Sequence, residues 1–154
     1  MTNLPEDFEA AKTFFLEGIA EAQCENWKLA EAAFRKSLKI LPDRGSTISN
    51  LLGSLIMQEK FQEAWQIARE AKELDDDNPA TNINIGILHH KARDFQQALV
   101  FFDKAIGLDA NSAEAHLNRG KVCLTSMILR WQPKLLIKHS NRNRISTKHL
   151  FVNH

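Results

Sequence analysis

Apolar residues recur along this chain at intervals of three and four, and short polar stretches interrupt them at regular distances. The pattern predicts a first helix from about 7 to 24, with Phe8, Ala11, Phe15, Gly18 and Ala22 in one stripe. A second is predicted from about 27 to 40, with Trp27, Ala30, Phe34, Leu38 and Leu41 on its buried side and Pro42 as its stop. Helices three and four, about 46–58 and 61–74, carry Ile48, Leu51, Leu52, Leu55 and Ile56, then Phe61, Ala64, Trp65, Ala68, Ala71 and Leu74. Asn78 is a plausible N-cap and Pro79 suits the first helical place of the fifth, about 79–92. The sixth covers about 95–108, and a seventh starts near Ala113 with Ala115, Leu117, Gly120, Val122, Cys123 and Leu124.

The helices come in pairs with a fixed period. Asn84–Ala105 holds Gly86 in one helix, a polar turn at Ala92-Arg93-Asp94, and Ala98 and Phe102 in the next. The same order appears upstream with Gly18, Ala30 and Phe34, and again with Gly53, Ala64 and Ala68. Ala30, Ala64 and Ala98 stand 34 residues apart, which marks a helix-turn-helix repeat. Gly53 to Ala64 is 11 residues where the other units have 12, so the second unit is expected to be one residue short in its turn. A glycine mid-helix costs about 1 kcal/mol relative to alanine, and its recurrence argues for close approach of two helix backbones. Such pairs cannot hide their apolar faces alone; stacked, they bury a continuous core.

These residues resemble the tetratricopeptide repeat over about 11–124. The units are 11–44 (Phe14, Gly18, Trp27, Ala30, Phe34, Pro42), 45–78, and 79–112, the best match, with Asn84-Ile85-Gly86, Asp94-Phe95, Ala98, Phe102, Ala105 and Leu108. A half repeat, 113–124, has Asn118 and Gly120 in place, and residues 1–10 form a lead-in. The resemblance implies an all-α, right-handed superhelical solenoid of antiparallel helix pairs. Its concave face, lined by the first helix of each pair, would bind a peptide or helix of a partner protein. By repeat register the groove residues are Phe15, Ile19, Asn50, Ser54, Met57, Ile83, Asn84, Ile87 and His90, with Gln23, Lys91, Leu117 and Lys121 beside them. Relatives that grip the acidic C-terminus of heat-shock chaperones use Lys, Arg and Asn here. This chain has Phe15, Ile19 and Leu51 at those places and agrees only at Asn84, so an apolar or amphipathic segment is the expected ligand.

Charge divides the chain. Residues 1–115 hold 12 Lys and Arg against 19 Asp and Glu, a net of −7; residues 116–154 hold 8 basic residues and no acidic one. The repeat pattern also stops after Leu124, where Gln132-Pro133 replaces the expected alanine. Residues 125–154 are therefore expected to be a basic, poorly ordered tail. A frameshift would leave such a break; a tail that touches nucleic acid or an anionic membrane is another reading, and plain disorder a third. The missing second helix leaves an uncapped end through which the chain could self-associate.

Catalytic and metal signatures fail. His89-His90 point about 100° apart on a helix, Gly45-Ser46-Thr47 lacks a phosphate loop's glycines and lysine, and Asp75-Asp76-Asp77 lacks the glycine and closing glutamate of a calcium loop. Cys24 and Cys123 match no metal or redox spacing and are expected to be buried or half-buried thiols. The expectation is a cytoplasmic, non-enzymatic interaction scaffold with no cofactor, no metal, no specific nucleic acid and no transmembrane segment. The alternative is a detached N-terminal targeting arm of a larger enzyme, such as a bacterial glycosyltransferase or methyltransferase.

Overall fold

The computed structural model describes residues 4–146, with side chains described over 5–131. Among these residues all regular structure is helical: α1 (Leu4–Gln23), α2 (Trp27–Ile40), α3 (Gly45–Met57), α4 (Phe61–Leu74), α5 (Pro79–Lys91), α6 (Phe95–Leu108) and α7 (Ala113–Ser146). α3, α5 and α7 start 34 residues apart, and so do α2, α4 and α6.

Local chemistry sets these boundaries. Within each pair the chain reverses through three residues whose middle one, Glu25, Glu59 or Arg93, has φ near +60°. The amides of Asn26, Lys60 and Asp94 reach back five residues to the carbonyls of Glu21, Leu55 and His89, which caps the exposed carbonyl end of the first helix. All three turns are therefore the same length, and the second unit is not one residue short. Between pairs, Asn78 caps α5 by accepting from the Thr81 amide, with Pro79 beside it as the sequence predicts. Buried Asn82 holds the same connection by donating to the carbonyls of Asp76 and Asn78.

The core forms where paired helices meet. Ala30, Ala64 and Ala98 are fully buried, and so are Phe34 and Phe102. A Cβ on Gly18 would lie 2.5 Å from the Phe34 ring, and one on Gly86 would lie 2.7 Å from the Phe102 ring. Each aromatic ring thus lies directly on a glycine backbone. In the second unit the place one period after Gly18 belongs to Leu52, not Gly53, and the place of Phe34 belongs to Ala68. Leu52 and Ala68 are both buried in one cluster with Leu51, Leu55 and Leu88. The large and small partners have changed helices there, which conserves the filled volume. Gly53 itself faces Asn84 at an ordinary 3.8 Å.

A polar network joins the first two units. The buried Glu31 carboxylate accepts from Arg35 Nε at 2.9 Å and from Gln58 Nε2 and Lys60 Nζ, both at 2.8 Å. Burial raises the Glu31 pKa, but donation by Lys60, Gln58 and Arg35 outweighs it and holds the carboxyl below its ordinary value.

The C-terminal region differs from its expectation. α7 does not end at Leu124; it continues for 34 residues in all, through Pro133 to Ser146. Met127 stands where the other units place Glu25, Glu59 and Arg93, and Ile128 where they place Asn26, Lys60 and Asp94. Of the three earlier places only Asp94 caps with its side chain, so the difference lies in the flanking residues: Met127, Leu129 and Arg130 favour helix. A proline removes one amide donor from the ladder and its ring crowds the carbonyl four residues before it, yet the helix continues past Pro133. Residues 147–154 of the expected tail lie outside the described residues, as do residues 1–3 of the lead-in; α1 begins at Leu4, inside that lead-in. Both cysteines are exposed rather than buried: Cys24 opens the first turn, and Cys123 lies on the open side of α7.

Candidate functional site

A groove of about 500 Å³ runs across the first helices of the second and third units. Its walls are Asn50, Gly53, Ser54 and Met57 from α3 and Ala80, Asn84, Ile87 and Lys91 from α5. Ala22 and Trp27 close one end and Glu114 of α7 the other. Helical spacing produces this arrangement: Asn50, Ser54 and Met57 share one face of α3, as Asn84, Ile87 and Lys91 do on α5.

Five of the nine sequence-selected residues, Asn50, Ser54, Met57, Asn84 and Ile87, line this groove. Met57 is the most open, at 56% exposure. Ser54 is buried at the floor, its hydroxyl donating to the Asn50 carbonyl. The other four do not line it. Ile83 is only 4% exposed, because α7 lays Ala115 and Val122 against the cluster that contains it. Phe15 and Ile19 pack against the main core; the Phe15 ring meets Phe34 at 6.1 Å and has the Arg44 guanidinium 5.6 Å above it. His90 turns toward Phe95 at 5.8 Å. Burial, with help from Lys91 and Lys121, holds the His90 pKa below its ordinary value, so it is neutral at pH 7.

The groove also has an amide component at the repeat period. Asn50, Asn84 and Asn118 stand 34 residues apart. Each donates its side-chain N–H to a backbone carbonyl: Asn50 to Ser46 at 2.8 Å, Asn84 to Ser49 at 3.0 Å, and Asn118 to Glu114 at 3.0 Å. The bonds of Asn50 and Asn118 run along their own helices, whereas that of Asn84 crosses from α5 to α3 and fixes the two walls of the groove together. Fixing the amide nitrogen leaves the side-chain oxygen as an acceptor for a ligand's N–H groups. The place one period before Asn50 is Leu16, so the amide series begins in the second unit. Ala80 and Glu114 escaped sequence reasoning because each sits at a helix start, where register alone does not assign a face; Trp27, expected on the buried side of its helix, is half-buried and lines the groove.

Other candidate sites stay apart. Among the described residues no three His, Cys, Asp or Glu side chains gather as a metal site. His89 lies between rings, 4.9 Å from Trp65 and 5.3 Å from Phe101. Among the described residues no helix is long and apolar enough to cross a membrane.

No family model matches the chain. Among curated proteins it is similar to anaphase-promoting complex subunit 3 of Schizosaccharomyces pombe, with 25% identity over 117 residues. That match covers 76% of this chain and 17% of the relative, so the chain spans about a sixth of that protein's length. Among solved structures, the TPR domain of Arabidopsis OM64 aligns with a TM-score of 0.70 at 18% identity, covering 77% of this chain and 98% of that one. The TPR2B domain of yeast Sti1, in a complex with pHsp70, aligns at 0.67 with 22% identity, covering 76% and 98%. The first TPR of Spaghetti (RPAP3), bound to the HSP90 peptide SRMEEVD, aligns at 0.68 with 15% identity, covering 77% and 94%. Likeness at these identities establishes architecture, and it agrees with the 34-residue pairs, the repeated turns and the rings seated on glycine. The chain has the tetratricopeptide-repeat fold: among the described residues, an all-α solenoid of three helix pairs followed by a further first helix.

Proposed function

We propose that this chain is a non-catalytic interaction module whose groove across α3 and α5 holds an apolar or amphipathic segment of a partner protein. The observation that carries this reading is the wall chemistry: exposed Met57 and half-buried Ile87 stand beside the tethered amides of Asn50 and Asn84. The apolar groups suit a partner's side chains, and the amide oxygens suit its backbone N–H groups. Two of the similar domains are in complexes, one with the HSP90 peptide SRMEEVD and one with pHsp70. Among the described residues Lys91 is the one cation lining the groove, alongside the carboxylates of Glu59 and Glu114, so recognition of a carboxylate-rich terminus is not favoured.

A displayed library of random dodecapeptides, selected on the full chain, tests the reading. Enriched peptides should carry apolar residues, and their affinity should fall at least tenfold with Met57→Lys and with Asn50→Ala. SRMEEVD should bind weakly or not at all. Both substitutions are at accessible positions, and an unchanged melting temperature would show that each variant is folded. Selected peptides that bind both variants as well as the parent would remove the groove assignment.

A further inference from the structure

In the first three units the first helix is covered by a second that returns through a three-residue turn. α7 is a first helix by register, but it runs straight through the place of that turn, at Met127. One side of α7 docks on the preceding unit through Ala115 and Val122. The opposite side corresponds to the face that α5 turns toward α6. There Gly86 lies under the Phe102 ring, His89 stacks on Phe101, and His90 meets Phe95. One period later stand Gly120, Cys123 and Leu124, all exposed, and among the described residues a Cβ on Gly120 would meet nothing within 4 Å.

We propose that this face of α7 is a docking surface, separate from the groove, for an acidic amphipathic helix of another protein that completes the fourth pair in trans. The completed pairs define the occupant. Each ring that lies on a glycine has an alanine four residues before it and a small residue three after: Ala30, Phe34 and Ser37 in one unit, Ala98, Phe102 and Ala105 in another. The small residues let the helices approach, and the ring fills the notch. Charge selects against a second copy. Among the described side chains of α7 that follow Glu114, the charged residues are Arg119, which pairs with Asp103, and Lys121 and Arg130, with no acidic one, so two copies would meet with like charge, whereas an acidic helix is attracted.

The chain supplies its own probe. A fluorescent peptide of residues 94–109, made helical by a hydrocarbon staple between the exposed positions 96 and 100, carries Ala98, Phe102 and Ala105 with three aspartates and one lysine. It should bind the full chain saturably. Gly120→Leu fills the notch at an exposed helical site where leucine favours helix, so the variant should fold and bind at least tenfold more weakly. The peptide with Phe102→Ala should lose affinity likewise, and Met57→Lys in the chain should change nothing, which separates this surface from the groove. Absence of saturable binding, or equal binding by Gly120→Leu, would overturn the proposal. A dimer of the unliganded chain that Gly120→Leu disperses would overturn it as well, by giving the face to a second copy.

Discussion

Gly86 and Gly120 stand one repeat apart, each in the first helix of its unit, and they meet opposite surroundings. The Phe102 ring lies against Gly86, whereas among the described residues nothing approaches Gly120 within 4 Å. Glycine in a helix costs about 1 kcal/mol relative to alanine. At Gly86 the cost is offset by a fully buried ring; at Gly120 no described residue offsets it. The difference teaches that the structural unit here is the pair of facing residues rather than the glycine. The second repeat makes the same point in reverse, with Leu52 and Ala68 exchanging large and small.

The largest test of this pairing is Phe102→Ala. Loss of the buried ring should cost about 3–5 kcal/mol of unfolding free energy in a denaturant titration. Adding Gly86→Leu should recover a substantial part of that loss, since it recreates the Leu52–Ala68 arrangement. No recovery would mean that the exchange in the second repeat is incidental to its packing.

A smaller effect is expected where polar groups, rather than volume, join two repeats. Glu31→Gln removes the charge that gathers Arg35, Gln58 and Lys60, and should cost about 1–2 kcal/mol. Because the folded-state pKa of Glu31 is depressed, its contribution is complete above the ordinary glutamate value of 4.5 and is lost as pH falls through the lower folded value. The difference between parent and variant should therefore shrink as pH drops below 4.5, and a pH-independent difference would exclude the charge as its source.

The repeat period was readable because Ala30, Ala64 and Ala98 have no alternative: each is completely buried where two backbones approach. The second unit misleads because Leu52 and Gly53 are neighbours and the glycine draws the register to itself; the turn residues Glu25, Glu59 and Arg93 restore it, and so does the Asn50, Asn84 and Asn118 series. Groove residues were readable on α3, where Asn50, Ser54 and Met57 share one face. They were less so on α5, because Ile83 and Ile87 lie one helical turn apart and which of them is covered depends on α7. The continuation of α7 was hidden by Pro133, which marks a helix end in most contexts but which a long helix with good formers on its N-terminal side can contain.

The most direct test compares alanine at the two glycines by thermal unfolding of the full chain. Gly86→Ala should lower stability by about 1–3 kcal/mol, as the new Cβ forces the Phe102 ring aside. Gly120→Ala should raise it by about 0.5–1 kcal/mol, as an open helical site gains a better helix former. Opposite signs would establish that α5 is covered where α7 is open. Destabilisation by both substitutions would contradict the account, because a ring or helix would then already lie on Gly120.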